Sequence, residues 1–161
     1  LLRLGDILTT RGAHAEGLLH YGRSAEQWQQ LRNDLQLAES EAGVAKAQAS
    51  LGNRSAALDA VRRAESAIAR APDDPANSPD RGARAQAYEY MADAYVTLAT
   101  RQGRSPVDAR ADWSSACRML QQSSDIWADM RRRGILAGSD ASKPDTLARE
   151  LERCKARLDG R

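Results

Sequence analysis

Apolar residues recur along this chain at three- and four-residue steps, the period of amphipathic helices, and the pattern is broken at glycine, proline and capping residues. Gly12, Gly52, Gly103 and Gly134 are the main stops. Asn33-Asp34 forms a polar joint in which Asp34 can cap the next helix, and residues 72–80 form a proline-rich loop. Ser105-Pro106 opens a helix, because serine caps, proline is tolerated in the first turn and Asp108 supplies the acidic partner of a capping box. Along that helix Trp113, Ala116, Cys117, Leu120, Ser124 and Trp127 fall on one stripe, with Arg131-Arg132-Arg133 at its negative end. A final helix follows Pro144, with Leu147, Leu151, Cys154 and Leu158 on its apolar side and Arg149, Glu150 and Arg157 on its other faces. These signals predict helices near residues 1–11, 13–32, 35–51, 55–71, 81–100, 106–133 and 144–159: three antiparallel pairs and one more.

Composition sharpens this into an all-α expectation. Of 161 residues 30 are alanine and none is phenylalanine, so the apolar mass is small and suits closely packed helices. The β-branched and aromatic residues that a sheet needs are scarce. The length predicts one domain over 1–161 with one core. A net charge of +2 provides no field for nucleic acid or an anionic membrane. No run approaches the roughly 20 apolar residues of a membrane span. The opening Leu1-Leu2-Arg3-Leu4 lacks an initiator methionine and is expected to be internal to a longer protein.

The pairs repeat one another. Leu4-Gly5, Val44-Ala45 and Met91-Ala92 each stand three residues after Leu1, Glu41 and Tyr88, and precede Leu8, Gln48 and Tyr95. Gly12, Gly17 and Tyr21 in the first pair match Gly52, Ala57 and Val61 in the second, and the third keeps Ala116 and Leu120. This pattern resembles the tetratricopeptide repeat, in which small residues let paired helices approach and bulky ones fill the space to the next pair. The spacing is longer than the family's usual repeat, and Gln48 replaces an apolar or aromatic residue. The resemblance implies a right-handed superhelix with repeats at 1–33, 34–74 and 81–133 and a capping helix at 143–159; an unrelated bundle with alanine-rich seams is the alternative.

The last third, from Trp113-Ser114-Ser115-Ala116-Cys117 through Ile126-Trp127 to Leu151-Glu152-Arg153-Cys154, looks like the C-terminal tetratricopeptide regions of bacterial receptor-like serine/threonine protein kinases. That parentage implies sensing or docking, in the cytoplasm, or outside it if the chain is the tail of a membrane-anchored receptor. No kinase loop or catalytic segment is present in the chain.

Few residues invite chemistry. His14 and His20, six apart on one helix, point about 240° apart around its axis, and no metal site is expected. Cys117 and Cys154 lie on facing apolar stripes and read as two buried thiols, with a disulfide as the alternative. Asp73-Asp74 and Glu39 with Glu41 read as solvated carboxylates rather than a catalytic pair, and the arginine triplet as a favourable helix end. No catalytic residue or cofactor is expected.

The expected function is a non-catalytic scaffold for a protein or peptide partner. The resemblance places Asp6, Thr9, Thr10, Lys46, Ser50, Glu89, Asp93 and Thr97 on a concave groove. That wall is mildly acidic: it would repel an acidic chaperone tail and suits a basic or neutral peptide, a helix or another domain. The alternative is a structural spacer whose open first repeat pairs with a second copy.

Overall fold

The computed structural model describes residues 1–159. Its elements are α1 (Leu2–Thr10), α2 (His14–Gln30), α3 (Asp34–Leu51), α4 (Arg54–Arg70), α5 (Ser78–Ala99), α6 (Pro106–Arg132), a 3-10 turn (Gly138–Asp140) and α7 (Lys143–Leu158). The all-helical expectation holds for the described residues, and two boundaries differ for reasons of capping. Asn33 rather than Asp34 caps α3, its Oδ1 accepting from the Gln36 amide at 3.1 Å. Asp34 is then free to pair with Arg70 of α4 at 2.7 Å. Helix α5 begins earlier than expected, because Asn77 accepts from the Asp80 amide at 3.1 Å and Pro79 sits in the first turn, where no amide is needed. Ser105 caps α6 through the Asp108 amide as expected, also at 3.1 Å. Gly52 ends α3 at φ +87°, a conformation in which a side chain is strained.

Each helix packs on the next from α1 to α4, α5 packs on α6, and α6 on α7. Helix α3 also lies broadly against α5 and touches α1, so the odd-numbered helices α1, α3 and α5 run side by side. The short side chains make this possible. Ala38, Ala42, Ala45, Ala47 and Ala49 of α3 and Ala85, Ala87 and Ala94 of α5 are all fully buried, letting backbones approach closely. Larger groups fill the remaining space, chiefly Tyr21, Met91, Leu98, Met119, Met130 and Leu147.

Tyr21 of α2 takes the tightest place. Its ring lies between Gly5 of α1 and Gly43 of α3, where a Cβ would stand 2.7 Å and 2.5 Å from ring carbons. Gly5 belongs to the repeated Leu-Gly step, whereas Gly43 lies two residues before the matching Ala45, outside the sequence pattern.

Polar ties hold the later helices. Asp112 of α6 is buried and accepts both terminal nitrogens of Arg54 from α4, at 2.8 and 2.9 Å, and one from Arg104 at 2.8 Å. The buried stripe of α6 therefore includes Asp112 and Ser123, while Ser124, expected inside, is only half-buried. The arginine triplet does more than face carbonyls. Arg131 reaches Asp145 of α7 at 2.9 Å, and Arg132 and Arg133 both grip Asp129. Cys117 and Cys154 are joined as a disulfide rather than left as two thiols, clasping α7 to α6. The facing stripes bring their Cα atoms to 5.6 Å, within the reach of that bond.

Two outcomes are expected in urea denaturation. Gly43→Ala costs about 1–3 kcal/mol by driving a methyl into the Tyr21 ring, whereas Gly22→Ala, on the same helix as Tyr21 and facing open space, adds about 0.5–1 kcal/mol. Reducing the disulfide, which closes 37 residues, lowers stability by about 3–4 kcal/mol; thermal unfolding with and without dithiothreitol measures it.

Candidate functional site

One set of polar residues from α3 and α5 shares a face. On α5 they are Gln86, Glu89, Asp93 and Thr97, at three- and four-residue steps; on α3 they are Glu39, Lys46 and Ser50. Asp6 of α1 sits at the inner end, where the hydroxyls of Tyr21 and Tyr90 both donate to its Oδ1 at 2.6 Å. The two rings lie 6.3 Å apart and tilted by 56°. Burial, then the Asp6 carboxylate, pushes both phenols well above their ordinary range.

Glu89 is the second hub. It accepts from the Trp127 indole at 2.7 Å, from Ser123 at 3.4 Å and from Lys143 of α7 at 2.6 Å. Lys143 also donates to Gln86 Oε1 at 3.1 Å and stands 5.9 Å from the Trp127 ring centroid. Lys46 pairs with Asp93 at 2.8 Å and lies 5.1 Å from the centroid of Tyr90. Half-buried Glu39 stands between these hubs. Burial first, then the charges of Asp6 and Glu89, push its carboxyl up to about 7, against the pull of Lys143. Glu150 of α7 is likewise raised, by desolvation and then by Asp93 and Glu89.

Two recesses open on this face. One of about 330 Å³ is lined by Gln36, Glu39, Gln86, Trp127 and Asp140 among others. The other, of about 240 Å³, runs between α5 and α7 over Trp113, Leu120 and Cys154, with Asp93 and Glu150 on its walls. Compared with known proteins, the chain matches no family model, no curated protein and no solved structure.

Several residues expected on the groove are placed differently. Thr9 is buried where α1 crosses α2, its hydroxyl against Gly17, because the small glycine draws the two helices together. Asp6 is engaged by two tyrosines rather than open to a ligand. Ser50 and Thr97 turn back to donate to the Lys46 and Asp93 carbonyls of their own helices. Lys46, Glu89 and Asp93 take part in the ion pairs of this face, and Thr10 is exposed at the end of α1. Glu39, read from sequence as a solvated carboxylate, is half-buried with a shifted pKa, because α1 and α5 flank it with other acids. Tyr90, Lys143 and Glu150 also belong here. The periodicity held a signal for Glu39, which stands seven residues, two turns, before Lys46. His14 and His20 lie half-buried on α2.

Glu39 makes stability depend on pH in a known direction. Its folded value, about 7, lies above the ordinary 4.5, so the unfolded chain ionises first as pH rises. The stability present below the ordinary value is lost through the folded one. Glu39→Gln removes that loss, and its stability advantage over wild type in urea denaturation should grow between these two values and then level off, reaching about 1–2 kcal/mol after solvent screening.

Proposed function

We propose that this chain is a tetratricopeptide-type interaction module that binds a peptide or protein partner along the face carried by α1, α3, α5 and α7. In this reading the pairs α1–α2, α3–α4 and α5–α6 are the repeats of a right-handed superhelix and α7 caps it. The observation that carries it is the alignment of Glu39, Lys46, Glu89 and Asp93 on the neighbouring helices α3 and α5, with two recesses opening beside them. Charged groups held at fixed positions beside recesses of mixed polar and apolar lining are what selective recognition of an extended chain requires. The likeness of the last third to kinase-linked repeats favours a regulatory or sensor role within a larger bacterial signalling protein.

The Lys46–Asp93 pair offers a test that spares the fold. Exchanging the charges as Lys46→Glu with Asp93→Arg keeps an ion pair but reverses its polarity. Affinity capture should retain a partner on wild type and lose it at least tenfold on the exchange, with unchanged circular dichroism and melting. Equal recovery on both proteins would remove the face from partner binding.

A second reading, a spacer that pairs with another copy, is favoured by one observation. Leu1, Leu4 and Ile7 of the first helix are each roughly half exposed, at 52%, 43% and 50%, in three-residue steps. Light scattering over a concentration series decides it: a rising mass that Ile7→Lys abolishes supports pairing, and a constant monomer mass excludes it.

A further inference from the structure

Among the described residues, Glu39 carries no hydrogen bond and no ion pair, although Asp6 and Glu89 near it are both engaged. It lines the recess of about 330 Å³ with Gln36, Gln86, Trp127 and Asp140. The charged and titratable groups around it are Asp6 from α1, Glu89 and Tyr90 from α5, Asp140 from the 3-10 turn and Lys143 from α7. Lys143 alone among these is positive, and its ammonium is already bonded to Glu89 at 2.6 Å and Gln86 at 3.1 Å. A half-buried carboxylate surrounded by acids is costly unless a cation joins it.

The chain's own Lys143 displays how this wall holds an ammonium group: a carboxylate, an amide oxygen and an indole ring 5.9 Å away. The recess beside it presents the same kinds of group, the carboxylate of Glu39 and the amide of Gln36, and borders the same indole. We propose that this recess receives the cationic side chain of a lysine or arginine from a partner peptide, with Glu39 as the ion-pairing carboxylate. The proposal rests on the peptide-binding reading above and adds the chemistry of the residue recognised. Near neutral pH the carboxyl of Glu39 is partly protonated. A bound cation favours the carboxylate, so its proton passes to solvent and binding strengthens as pH rises.

The probe is the tripeptide Ac-Gly-Lys-Gly-NH2, titrated into the full chain while the Trp127 indole N–H is followed by NMR. The norleucine tripeptide is the uncharged control. The lysine peptide is expected to shift that signal and to bind about five- to tenfold more tightly at about pH 8 than at about pH 5.5. Glu39→Gln, which mimics the protonated acid and so retains the fold, is expected to weaken binding and abolish its pH dependence. Equal binding of norleucine, no lysine-dependent shift at the indole, or unchanged affinity in Glu39→Gln each overturns the site. A partner lost on the Lys46–Asp93 exchange but indifferent to Glu39→Gln would overturn this proposal alone and leave the peptide-binding reading standing.

Discussion

The flat ring of Tyr21, held between two glycines, sets how the first three helices meet. Any side chain at Gly5 or Gly43 would push α1 or α3 outward. With both absent, the ring is fully buried and its hydroxyl emerges on the far side, within 2.6 Å of Asp6. That position brings Asp6 within reach of Tyr90 on α5, so a packing choice in α2 fixes the distance between charged groups on α1 and α5. The face of the molecule is therefore built from its interior outward. A cavity left by losing the ring would be felt in the core and at Asp6 together.

The alanine seams extend the same constraint to the middle of the molecule. Helices α3 and α5 are buried on several sides by short side chains, while Glu39 and Lys46 of α3 and Glu89 and Asp93 of α5 come together on one side. Carboxylates on neighbouring helices are thereby crowded. The molecule answers with lysines at Lys46 and Lys143 and with donors from Trp127 and Ser123. Glu39 receives none of these donors, and its raised pKa records the imbalance.

The far end is held by different means. Helix α7 packs mainly on α6, and the Cys117–Cys154 bond and the Arg131–Asp145 pair fasten it there. Their effect reaches the face, because α7 carries Lys143 to Glu89 and Glu150 towards Asp93. Asp112 serves the same purpose between α4 and α6, where three charge-assisted hydrogen bonds make up for burying a carboxylate.

Local chemistry alone determined the helices. Stop signals such as Gly52 and caps such as Ser105 act within a few residues, so their positions could be read directly; even the starts of α3 and α5, set by the caps Asn33 and Asn77, lie only one and three residues from those expected. The apolar stripe of α7 and the facing cysteines were legible for the same reason, since period and spacing suffice to place them. Whether the sulfurs bond, which hydroxyls turn back on their own helix and which acids share a pocket depended on residues far apart in the chain. Thr9 disappears against Gly17, Asp6 meets Tyr90 across 84 positions, and Glu39 acquires its neighbours only when α1 and α5 close on α3. Sequence spacing carries the direction of a side chain around its own helix; burial and charge are set by the neighbours that tertiary packing supplies.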